Sequence, residues 1–174
     1  FLNLENAYRN GQGFGGDEPV YYKFVSGSRI DYWFHWGYSQ TLNIGAHEGD
    51  WERISVRLND SNEPQEVQYF QHHTSCTLAW SDAPKYNGHP VLWATKEAHG
   101  SYPAGADAHS GDRISGDGPL WNTQGNLDGL GSIDWYGYAG GWGEVGNFAD
   151  TTGPWGPNPH RGEPGFATPR CDMT

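Results

Sequence analysis

From residue 51 to 58 the side chains alternate. Ile54, Val56 and Leu58 fall at every second position, with Arg53, Ser55 and Arg57 between them. A period of two is the spacing of a β-strand with one face in a core, and an amphipathic helix cannot carry it. Shorter aromatic or β-branched runs occupy residues 21–25, 30–38, 66–71 and 90–95. Turn-forming sequence separates them, as in Asn59-Asp60-Ser61-Asn62-Glu63-Pro64 and Asn87-Gly88. With 26 Gly and 11 Pro among 174 residues, helix interiors are interrupted throughout. Residues 2–9 offer the best helical stretch, and it is short. The expected fold is all-β: one antiparallel β-sandwich domain over residues 1–174, with long Gly/Pro/Trp-rich loops.

From Gly100 onward strand signals thin out and Gly, Pro, Asp and Trp dominate. A stretch this long with few aliphatic residues cannot build its own core, so it belongs to the same domain. Trp121, Trp135, Tyr136, Tyr138, Trp142 and Trp155 lie within it. These rings either replace missing aliphatics as core or form flat platforms for sugar rings. The interleaved Asp107, Asp112, Asp117, Asp128 and Asp134 fit hydroxyl recognition or loop Ca²⁺ binding, without EF-hand spacing.

A net charge of -11 argues against nucleic acid, because neutralising phosphates needs a basic face. No apolar run is long enough to span a bilayer, so no transmembrane segment is expected. The acidic, Lys-poor composition points to a secreted chain, expected to be a monomer, and a start at Phe1 suits a processed or trimmed N-terminus. Cys76 and Cys171 either form a disulfide that ties the tail to the middle of the fold or remain free thiols; for a secreted chain the disulfide is expected. A free Cys76 beside His72 and His73 would be a nucleophile, a role that a disulfide closes.

The sharpest chemical signal is His47-Glu48-Gly49-Asp50-Trp51-Glu52 at the start of the best strand. Asp50 and Glu52 share the face of Ile54, Val56 and Leu58, so two carboxylates point inward, with Trp51 and Arg53 outward. Inward carboxylates must be paired, hydrogen-bonded or bound to a cation. Three uses follow: pairing with backbone N–H groups and a buried Arg, a divalent-cation site with His47 and a further ligand such as His73, or an acid/base pair. Mixed His and carboxylate ligation admits Ca, Mg, Mn or Zn. His72 and His73 end one expected strand and His99 follows another, so these imidazoles can converge on Asp50 and Glu52. His35 is expected to pack in the core, and His89, His109 and His160 to be exposed.

Several motifs together resemble the vacuolar protein sorting-associated protein 62 family over residues 30–160. They are Tyr32-Trp33-Phe34, His47-Glu48-Gly49-Asp50-Trp51-Glu52, Gln71-His72-His73 with Trp80, Pro90-Val91-Leu92-Trp93-Ala94, His99-Gly100-Ser101-Tyr102-Pro103, Gly140-Gly141-Trp142-Gly143 and Gly153-Pro154-Trp155-Gly156-Pro157. The central hexapeptide also resembles the necrosis- and ethylene-inducing-like toxins, a β-sandwich family with a His-Arg-His-Asp-Trp-Glu strand. That likeness implies a divalent-cation site at His47, Asp50 and Glu52 that engages a sphingolipid head group. The sequence departs from the toxin pattern at Gly49, where a second His is expected, and at Ser39, where an acidic ligand is expected.

The functional expectation is therefore a secreted, divalent-cation-dependent protein binding a glycan or glycolipid head group, with cytolysis as one outcome. Metal ligands would be His47, Asp50, Glu52 and His73; ligand contacts would come from Trp51, His72, Tyr102 and Trp142. The alternative is a hydrolase acting on glycans, with Asp50 and Glu52 as acid/base residues and His99 as helper.

Overall fold

The computed structural model describes residues 18–40, 45–71, 74–96, 98–103, 120–148, 151–157 and 169–171. Ten strands are assigned in them: β1 Val20–Val25, β2 Arg29–Ser39, β3 His47–Leu58, β4 Pro64–Gln71, β5 Thr74–Ala79, β6 Lys85–Tyr86, β7 His89–Pro90, β8 Trp93–Ala94, β9 Ser101–Tyr102 and β10 Leu127–Gly129. The protein is all-β. Five strands form an antiparallel meander, and β10 joins β1 in parallel, giving a six-stranded sheet in the order β10-β1-β2-β3-β4-β5. The pairs β6–β7 and β8–β9 form two small sheets. The described residues thus hold one large sheet together with two short hairpins and loops.

The alternation read at residues 51–58 sets the first core. Ile54, Val56 and Leu58 face Val20, Phe34, Val67, Tyr69 and Leu78, and Trp80, Leu92 and Trp121 close over them. The long β3 is registered on β2 so that Phe34 sits opposite Glu52 and Trp36 opposite Asp50. In the β3–β4 turn, Asn59 Oδ1 accepts from the backbone N–H groups of Ser61 and Glu63, and Asn62 takes a positive φ of 61°. The stretch 90–95 splits into β7 and β8: Pro90 lacks a ladder donor, and Val91 accepts a bond from the Tyr69 hydroxyl instead of continuing a strand.

The opposite face of β3 is also covered, which corrects the expectation that Trp51 points outward. Trp51 is only 5% exposed and packs with Trp33, Leu130, Ile133, Trp135 and Trp142. The covering residues come from two 3-10 turns, Leu130–Ser132 and Asp134–Gly137, and from the strap carrying Trp142. Further along this face Ser55 is buried and donates to Asp31, which also receives Arg29. Arg53 lies over the rings of Trp33 and Phe70 at 5.0 and 4.0 Å. The Arg/Ser alternation therefore marks a second packed face, paired and hydrogen-bonded.

The strap is seated by close backbone contact. Trp142 N–H donates to Pro154 O, Gly153 N–H donates to Glu144 O, and Gly141 bridges to Trp155. Its carbonyl at Trp142 crosses Gly49, where the backbone turns left-handed at φ 65°. At the far edge of the sheet the tail pairs with β5: Thr77 N–H donates to Pro169 O and Cys171 N–H to Thr77 O. Cys76 and Cys171 form a disulfide across 95 residues, so no free thiol is left. No described helix is long and apolar enough to cross a membrane.

Candidate functional site

Asp50 enters the site because β3 runs on past its apolar stretch. The face holding Ile54 continues through Glu52 to Asp50, and both carboxylates are buried, at 8% and 7% exposure. The partner of Asp50 comes from 49 residues away. His99 lies in the β8–β9 loop, where Thr95 N–H donates to Gly100 O and His99 N–H donates to Thr95 O. That loop holds His99 at φ 55°, a left-handed conformation that a non-glycine residue keeps only when its surroundings enforce it. Its Nδ1 donates to Asp50 Oδ2 at 3.1 Å, and its ring stacks on Trp36 at 4.6 Å with 7° between planes.

Around this pair several buried polar atoms lack hydrogen-bond partners among the described residues: Trp36 Nε1, Gln71 Oε1, Thr95 Oγ1 and Ser101 Oγ. They belong to one connected corner. Gln71 Nε2 donates to Ser101 O at 2.7 Å, Ser101 pairs with Ala94 beside Thr95, and Trp36 is both the register partner of Asp50 and the stacking partner of His99. An unpaired buried polar atom costs on the order of 1–3 kcal/mol, so four in one corner mark a place suited to a hydroxyl-bearing ligand or water.

The other expected site residues are distributed differently. His47 lies within β3, opposite Ser39 in register and one position out of phase with Asp50 and Glu52, and its Nδ1 donates to Gly49 O at 2.8 Å. Among the described residues no three His, Cys, Asp or Glu side chains converge as metal ligands. The set His47, Asp50 and Glu52 is therefore not assembled as expected; the donors brought together are Asp50 and His99. His72 and His73 lie outside the described residues, as do His109 and His160. Trp51 and Trp142 pack edge to face at 5.1 Å on the sheet face opposite Asp50, which removes them from contact with a ligand there. Tyr102 is buried in β9 opposite Trp93.

Gln71, Thr95 and Ser101 were not legible as site residues, because nothing local distinguishes a Gln at the end of a strand or a Thr before a loop. Outside this corner, Asn59-Asp60-Ser61 matches the Asn-x-Ser acceptor pattern, and Asn59 Nδ2 donates to Glu63 Oε2 at 2.9 Å.

His35 packs as expected, between Trp51 and Trp142 at 4.7 and 5.6 Å. Burial lowers its pKa to about 4, while Asp50 pulls the other way. The unfolded chain takes up this proton near pH 6.5, the native protein only near 4, so stability is lost as pH falls through that window. The full shift corresponds to about 3 kcal/mol. Urea midpoints are expected to drop between pH 7 and pH 4, and a His35→Gln variant should drop less. An equally steep fall in the variant would acquit His35.

Compared with known protein families, curated proteins and solved structures, the chain matches none.

Proposed function

We propose that the protein is a secreted monomer that binds the hydroxyl-bearing head group of a glycan or glycolipid at the Asp50–His99 corner. The observation that carries this reading is the cluster of buried, unpaired polar atoms beside a carboxylate–imidazole pair. Sugar hydroxyls both donate and accept, so they match a mixed set of indole N–H, amide oxygen and hydroxyl groups. Trp36 supplies a flat ring at the same place. The disulfide suits an oxidising compartment.

A divalent cation is part of this reading. Asp50 and His99 would give it one oxygen and one nitrogen, and the bound head group would complete its shell; of the toxin-like positions at residues 47–52, this arrangement uses Asp50 alone. Binding on a glycan panel, followed by calorimetry, is expected to weaken at least tenfold in Asp50→Asn and after chelation. Unchanged affinity after chelation would remove the cation, and unchanged affinity in Asp50→Asn would remove the site.

The Asp50–His99 contact also favours a second reading, glycan hydrolysis. Asp50 fixes Nδ1–H of His99 and leaves Nε2 free to accept a proton. Glu52, two residues along the same face, has its backbone root about 7 Å from that of Asp50, given a rise of about 3.3 Å per residue. Release of reducing ends by the wild type but not by Glu52→Gln would favour turnover over binding.

A further inference from the structure

Next to this corner lies a cleft of about 410 Å³, between the core face of the sheet and two walls. Its floor is Val20, Phe34 and Ile54, all buried. One wall is the β6–β8 region with Trp93, the other is the segment around Trp121, whose ring stands edge-on to Phe34 at 6.3 Å and to Trp36 at 6.2 Å. Trp36 belongs to both places: it lines the cleft and stacks on His99.

We infer that this cleft is a second binding site, for the uncharged apolar part of an amphiphile whose hydroxylated head sits at Asp50–His99. The head-group half of that statement rests on the function proposed above; the cleft half stands by itself. Charge is the first argument. Asp, Glu, Lys and Arg number 31 in this chain, yet none of the described residues lining the cleft is one of them. An ionised group entering it would lose its hydration with no opposite charge to meet. Exposed apolar surface is the second. Leu120, Leu127 and Tyr86, all on the cleft lining, stand 59%, 41% and 47% exposed, so apolar area remains in water where a ligand can remove it. Size is the third, since small-molecule sites run to about 300–1,000 Å³ with mainly apolar and aromatic walls. The amides and hydroxyl of Asn122, Thr123 and Gln124 can orient a ligand without carrying formal charge, and His89 also lines the cleft. An alkyl or alicyclic glycoside has the required chemistry, with its junction at Trp36.

The test uses octyl β-glucoside below its micelle concentration, methyl β-glucoside and octanoate, read by the indole N–H signals of ¹⁵N-labelled protein. Octyl glucoside is expected to shift Trp36 and Trp121 saturably and to bind at least tenfold tighter than either of the other probes. Thr123→Glu and, separately, Val91→Phe are expected to weaken octyl glucoside at least tenfold, the first by charge and the second by filling, with the other indole signals in place to show an intact fold. In Asp50→Asn the Trp121 shift should persist. Equal binding of the octyl and methyl glucosides overturns the cleft site, as does a response that both lining variants leave intact. Equally fatal is a dimer in sedimentation that octyl glucoside dissociates, since a second copy would then be the occupant. Persistence of the Trp121 shift with no effect of Asp50→Asn on either sugar would overturn only the head-group half.

Discussion

Gly49→Ala is expected to cost about 3–5 kcal/mol, a large share of what a domain of this size has to lose. A methyl group there would sit 1.8 Å from the carbonyl oxygen of Trp142, on a backbone already left-handed at φ 65°. The left-handed conformation accounts for about 1–2 kcal/mol in a residue with a Cβ. The remainder comes from lifting the Trp142 strap off β3, since a carbonyl oxygen of the main chain cannot step aside as a long side chain would. The strap carries Trp142 against Trp51, Trp135 and His35, so the second core loosens with it. Gly143, whose Cβ would meet Glu48 O at 2.0 Å, makes the same approach from the other side. Gly88→Ala is the control: its φ is 82° but nothing lies within 4 Å, so it should pay the conformational cost alone. Urea unfolding of both variants at constant m decides the matter, and equal losses would show that strap contact contributes little.

Removing the disulfide is expected to have the second largest effect. Cys76 and Cys171 lie 95 positions apart, and the chain-entropy account gives about 4–5 kcal/mol for a loop of that length. A further cost follows from where the bond sits. Pro169 to Cys171 satisfy the outer edge of β5 at Thr77, and a tail released from Cys76 leaves that edge open to pairing with another chain. Cys76→Ala/Cys171→Ala is therefore expected to unfold several kcal/mol sooner in urea and to aggregate at concentrations where the parent does not. Coincident unfolding curves with and without reductant would show that the tail is held by its hydrogen bonds alone.

The first core was legible because β3 writes it in one short run: Ile54, Val56 and Leu58 alternate, and the same parity carries Asp50 and Glu52 inward. Burial of Trp51 on the other face was not legible. Its cover, Leu130, Trp135 and Trp142, arrives from the Gly-rich half of the chain, and no local pattern reports so distant a contact. The strand β5 was not legible because Thr74-Ser75-Cys76-Thr77-Leu78-Ala79 is weakly apolar and no Gly or Pro precedes it to separate it from β4. At the site, the meeting of His99 with Asp50 was within reach, as ends of neighbouring strands converge. Register decided against His47, which falls one position out of phase with the two acids.

The bond between Cys76 and Cys171 also changes what a protease can do to this molecule. Every peptide bond from residue 77 to 170 lies inside the covalent ring it closes. A single cut between residues 100 and 170 opens the ring but releases no fragment, so the nicked protein keeps its mass apart from one added water. Two polypeptides separate only when reductant is added.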